Sequence, residues 1–171
     1  MKRLAAALLF SAPFSIFVTP AIAQAPMPPA PPAIAADKQI PMDQALAAAQ
    51  VALDTCLKLP RPSAATVEIV DLNGLPKVLL SADGARTNSF DYMKMKAHTV
   101  LKKGMGSAAY GKTAKLTPGQ PLEGDPLLTQ YGGGLPIMKN GVMIGAISVS
   151  GPTGQIDDDA CAAAGVAKFH F

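Results

Sequence analysis

The sequence predicts an α+β domain, a mostly antiparallel sheet with helices packed on it. Three observations predict it. Two Asn-Gly pairs, Asn73-Gly74 and Asn140-Gly141, each lie between β-forming runs and mark tight hairpin turns. Apolar residues recur at spacings of three and four over Asp43 to Leu59 and again after Thr87. Hairpin-linked strands pair antiparallel, and amphipathic helices between hairpins need a sheet face to cover. The chain has 171 residues, which suits one domain of ordinary size.

Charge narrows the functional classes. The net charge is +3, and two of the positive residues, Lys2 and Arg3, stand at the extreme N-terminus. The rest of the chain is close to neutral and has no basic stripe, which argues against nucleic acid as a partner. Apolar residues make up 49% of the chain, so the chain as a whole is not of disordered composition.

The N-terminus has the three-part layout of an export signal. Met1-Lys2-Arg3 is positive, Leu4 to Val18 is almost wholly apolar, and Thr19 to Ala25 is small and turn-prone. The apolar run is shorter than the roughly 20 residues of a membrane-spanning helix. Small residues flank two cleavage sites, Ala21-Ile22-Ala23 and Ala23-Gln24-Ala25. Cleavage after Ala23 is expected, because the later site would leave Pro26 directly after the cut. Residues 1–23 are therefore read as a signal peptide, 24–40 as a proline-rich spacer, and 41–171 as one domain. The expected product is periplasmic or extracellular, with no membrane association in its mature form.

Within the domain, Pro41 precedes a helix over Asp43 to Leu59. Its apolar face is marked by Leu46, Ala49, Leu53 and Cys56-Leu57, and Pro60-Arg61-Pro62 ends it. Ala65 to Leu72 alternates Val67 and Ile69 with Thr66 and Glu68, the pattern of a strand, and Leu75 to Ala82 is its hairpin partner. Thr87-Asn88-Ser89 offers N-caps for a second helix with Phe90, Met93, Ala97 and Leu101 on one face, stopped by Gly104 and Gly106. A helical turn over Ser107 to Lys112 comes next. Thr113 to Thr129 reads as a long connection, interrupted by Pro121, Gly124 and Pro126. Gly132-Gly133-Gly134 then opens a second hairpin, Leu135 to Lys139 and Val142 to Val149. Gly145 inside it predicts a bulge or a close backbone approach. Gly151 to Gly154 turns the chain, and Asp157-Asp158-Asp159 begins a last helix, as caps that favour its positive end.

The run Gly132-Gly133-Gly134-Leu135-Pro136-Ile137, the stretch Gly141 to Gly151, and Asp158-Asp159-Ala160-Cys161-Ala162 closely resemble the GlcG/HbpS family of haem-binding proteins, relatives of the C-terminal domain of PduO. Val70-Asp71-Leu72-Asn73-Gly74, Asp83-Gly84-Ala85 and Lys96-Ala97-His98-Thr99 agree with it. The resemblance covers about residues 42 to 168. It implies a profilin-like α/β fold with an antiparallel sheet of about five strands and flanking helices, homo-oligomers and, in some members, haem binding. The fifth strand would have to come from the 113–131 connection.

Candidate ligand residues are few. His98 and His170 are the only histidines. Imidazole is a frequent haem-iron ligand, and His98 stands beside the apolar face of the second helix. It is the candidate iron ligand; otherwise it is a partly exposed helix residue. His170 reads as a solvated tail. Tyr92, Tyr110 and Tyr131 are possible phenolate ligands. Lys94, Lys96 and Arg86 are candidates for the haem propionates, against a solvated helix face. Met93, Met95 and Met105 read as packing residues. Gly132, Gly133 and Gly134 either wall a ligand pocket or simply let the chain enter its hairpin tightly. Cys56 and Cys161, the only cysteines, fall on the first and last helices, which the family fold places near each other. In an exported protein they read as a disulfide, against two buried thiols. The leading expectation is an exported, haem-binding, oligomeric protein rather than an enzyme. The other readings are an enzyme or accessory protein for a small carboxylic metabolite of the glycolate-utilisation type, and an oligomeric scaffold.

Overall fold

The structure, a computed structural model, describes residues 29–60, 64–115, 120–151 and 155–171. The segment read as a signal peptide, the first residues of the expected spacer, Arg61-Pro62 and Pro152-Thr153-Gly154 lie outside the described residues. In chain order the domain runs α1 (Met42–Leu57), β1 (Thr66–Asp71), β2 (Pro76–Ser81), α2 (Thr87–Lys103), α3 (Ser107–Thr113), β3 (Gly134–Lys139), β4 (Val142–Ser150) and α4 (Gln155–Val166). Short 3-10 turns occur at Ala36–Lys38 and Leu122–Gly124. None of the described helices is long and apolar enough to cross a membrane.

The strands form one antiparallel sheet in the order β2-β1-β4-β3. Among the described residues there are four strands, not five. Pro121 and Pro126 lack the N–H that a ladder requires. The described part of the 113–131 connection instead makes a 3-10 turn and local bonds, such as Leu128 N–H to Asp125 O.

Both faces of the sheet are covered. α1 and α4 pack on one face and α2 on the other. The larger core lies beneath α1 and α4 and contains Val67, Ile69, Val78, Ile137, Ile144, Ile147 and Val149. Ile40, at the end of the proline-rich stretch, is buried in the same core. The face of α1 differs from the one its leucines suggest. Leu46 is 51% exposed and Leu57 is also exposed, while Ala45, Ala48, Ala49, Ala52, Leu53 and Cys56 are buried. Small side chains let α4 come close: a Cβ on Gly165 would lie 2.9 Å from the Ala48 carbonyl oxygen. Cys56 and Cys161 join these two helices by a disulfide, with Cα atoms 5.5 Å apart.

The hairpin turns form as predicted. Asn140 and Gly141 both have positive φ, 51° and 78°, the combination that matches the twist of the flanking strands. Gly145 meets its expectation in both respects. The register passes from Ile137↔Gly145 to Met138↔Met143, so Ile144 is the extra residue of a bulge and turns into the core. A Cβ on Gly145 would also stand 2.3 Å from the Val70 carbonyl oxygen.

Candidate functional site

α2 packs over β1, and between them opens a cleft of about 420 Å³. That is within the range of small-molecule sites, roughly 300–1,000 Å³. Lys94, Ala97, His98 and Leu101 line it from α2, one helical face at spacings of three and four. Glu68 and Val70 form its floor from β1, and the Asn73-Gly74 turn with Pro76 closes the far side. The walls are mostly apolar, with four polar functions: a carboxylate, a carboxamide, an ammonium and an imidazole.

His98 is held in place. Its Nε2 lies 3.0 Å from Asp125 Oδ2, and the imidazole side chain stays 35% exposed. A carboxylate only accepts, so Nε2 is the donor, and the neutral tautomer that fits this bond has its lone pair on Nδ1. Asp125 also takes the Lys102 ammonium at 2.6 Å and the Leu127 N–H at 2.9 Å. These partners, Lys102 first and His98 next, hold the Asp125 carboxyl well below the usual range. The connection after residue 120 is thereby pinned along α2. Nearby, Glu123 takes Lys103 Nζ and the Tyr110 hydroxyl, and the Thr129 N–H donates to Thr99 Oγ1 at 2.9 Å.

The triple glycine lies elsewhere, where α2, α4 and β4 meet. The Gly133 N–H donates to Asp159 Oδ1, and the Gly134 N–H donates to Ser107 Oγ at 2.9 Å. The Gly133 amide does face an anion, the chain's own Asp159 carboxylate, while the Gly134 amide faces a hydroxyl. Gly133 has φ +109°, and a Cβ there would meet the Val149 carbonyl oxygen at 2.4 Å. Beside it, Lys96 is 2% exposed. Its Nζ donates to Asp158 Oδ2 at 2.7 Å and to the Val149 carbonyl oxygen at 2.8 Å. Burial pushes the ammonium down and the Asp158 carboxyl up, and each charge partly restores the other.

The family described as Haem degrading protein HbpS-like matches residues 40–167. This chain belongs to the HbpS-like family. A double mutant of HbpS from Streptomyces reticuli is 26% identical, covers 87% of this chain and 99% of its own, and superposes with a TM-score of 0.69. The PduOC haem complex shares the fold at 20% identity, over 81% of this chain and 96% of that one, with a TM-score of 0.64. A 15.0 kDa uncharacterised protein of the dhaT-dhaS intergenic region of Citrobacter freundii is 35% identical over 94 residues, 52% of this chain. The match spans 65% of that relative, just under two thirds.

In this HbpS-like domain the site candidates separate into two places. His98 and Lys94 share the cleft. Lys94 Nζ also lies 4.4 Å from the Phe90 ring centroid. Tyr92 is not among the cleft residues; it meets Tyr131 edge-on at 5.4 Å. Gly132, Gly133 and Gly134 are buried around Lys96 and the α4 carboxylates. Tyr110 is buried on Glu123, and Met93 is core. Lys96 is no solvated helix residue, because its helix face turns into the sheet. His170 is exposed, but its backbone is tied reciprocally to the Gln44 side chain, so the tail is docked on α1. Asp157 and Asp158 do lie in the first turn of α4, while Asp158 and Asp159 are bonded to Lys96 and Gly133.

Two residues carry signals that pattern reading missed. Glu68 entered the sequence reading only as the polar half of the β1 alternation, and α2 covers the face it occupies. Asp125 sits in the long connection, and its link to His98 spans 27 residues with no local motif. The donor set of the cleft suits haem: a nitrogen ligand with a carboxylate behind it, apolar walls, and a cation for a propionate.

Proposed function

We propose that this domain binds haem in the cleft between α2 and the β1–β2 hairpin, with His98 as the iron ligand. One observation carries this reading: His98 lines the cleft with its Nε2 proton committed to Asp125, the arrangement that orients a ligating imidazole. Val70, Pro76, Ala97 and Leu101 would contact the porphyrin face, and Lys94 a propionate. When bound, the haem supplies an iron centre. The chain's own residues orient the imidazole and exclude water from the apolar wall.

Membership of a family named for haem supports the reading, and a protein of the same fold has been solved with haem. Titration with hemin should give a saturable shift of the Soret band, and His98→Ala should weaken binding at least tenfold and alter the spectrum. An unchanged spectrum in His98→Ala would remove the imidazole from the coordination sphere.

The reading extends to location and assembly. A disulfide between α1 and α4 suits an oxidising compartment, in keeping with removal of residues 1–23 on export. An intact N-terminus on the secreted protein would contradict this. β2 and β3 each have one strand edge unpaired within the sheet, and Tyr92, Leu127 and Tyr131 are exposed apolar surface, as a homo-oligomer would use. Light scattering that gave the mass of one chain would refute assembly.

A further inference from the structure

The geometry points to Glu68 as a proton-accepting floor for this cleft, so that a ligand closing over it binds together with a proton. This inference rests on the haem reading and adds a linkage to it. Glu68 is 3% exposed, lines the cleft, and has no hydrogen-bond or ion-pair partner among the described residues. Directly across the ladder stands Ser148, whose hydroxyl is also buried without a partner. A carboxylate with no protein partner beside a buried, unpartnered hydroxyl is a costly arrangement for an interior.

The charged and titratable groups on the elements packed against Glu68 are few. α2 presents Lys94 and His98 to the cleft, while its Lys96 is bonded to Asp158. β2 carries Lys77, two residues from Leu79, the residue opposite Glu68. β4 carries no titratable side chain. Burial pushes the Glu68 carboxyl up, and the charge of Lys94 opposes it. With no protein partner, the Glu68 carboxylate depends, in the haem-free protein, on water that reaches it through the cleft mouth. A porphyrin laid over Val70 and Ala97 removes that water. It brings no hydrogen-bond donor on its apolar face, so the carboxylate must take a proton from solvent as the cleft closes.

The test is calorimetric titration of the full chain with hemin at mildly alkaline pH, in two buffers of different ionisation enthalpy, for wild type and Glu68→Gln. Wild type should take up more protons than the variant, by up to about one per hemin. The variant should bind about tenfold more tightly, since each pH unit of linkage is a factor of ten. Gln keeps the shape of Glu and removes the charge, and a higher melting temperature of the haem-free variant would confirm that it folds. Equal proton uptake, or weaker binding by Glu68→Gln, overturns the inference and leaves haem binding standing. Absence of saturable hemin binding in both proteins overturns the haem reading, and this inference with it.

Discussion

Glu68 and Lys96 are charged side chains that the fold carries into its interior, and their surroundings differ. Lys96 has a carboxylate and a carbonyl within hydrogen-bond distance. Removing one partner of such a pair leaves the other charge buried and alone, at a cost of about 3–5 kcal/mol. Lys96→Met should lose that much stability in urea denaturation at neutral pH. The loss should shrink in acid, where Asp158 is neutral, and Lys96→Met with Asp158→Leu should recover most of it. Glu68 has no such partner, and burial raises its carboxyl above the ordinary range, with Lys94 pulling the other way. The folded protein therefore holds this proton more tightly than the unfolded chain. Stability from this group is greatest below the ordinary carboxylate range and falls as pH rises through the folded value. Glu68→Gln should melt higher than wild type at neutral and alkaline pH, with the difference vanishing in acid. A difference constant across pH would contradict this assignment.

At the scale of elements, the sequence was legible wherever a local rule decides the structure. Asn140-Gly141 turns because both residues tolerate positive φ, and Gly145 stands beside the bulge at Ile144, where no side chain would fit against the Val70 carbonyl. The helices were found by their spacing, but not always their buried faces. α1 buries alanines rather than Leu46, since close approach of α4 favours small side chains over large apolar ones. The site was legible at His98 and Lys94, which share a helix face. It was not legible at Asp125 or Glu68, whose roles depend on a pinned loop and on which face α2 covers. The triple glycine was recognisable as a signature, yet its role in bonding Asp159 needed α4 in place. Gly133→Ala tests that role. Its Cβ would collide with the Val149 carbonyl and crowd the Lys96 ammonium, so the variant should lose several kcal/mol in urea denaturation or fail to fold. Wild-type stability in Gly133→Ala would show the junction to be slack.

At the scale of the whole molecule, three layers depend on one another. α1 and α4 clamp one face of the sheet, bridged by Cys56 and Cys161 across a separation of 105 residues. In the chain-entropy model, closing a loop of that length adds about 4.7 kcal/mol, and measured values usually fall below it. Replacing both cysteines with alanine should cost about 3–5 kcal/mol in denaturant midpoint analysis. It should leave hemin affinity unchanged, because the bridge lies on the face away from the cleft. Loss of hemin binding in a folded double variant would mean that the two faces communicate.

Hemin is a paramagnetic probe of its own position and so tests the proposed site between α2 and β1. Amide spectra of labelled protein, recorded with and without one equivalent of hemin, measure it directly. Signals of Val70, Gly74, Ala97 and Leu101 should broaden beyond detection, while those of Ala48, Ala52 and Ala162 on the opposite face stay sharp. Broadening centred on α1 and α4, or on the triple glycine, with the α2 signals intact, would place the haem elsewhere and contradict the account.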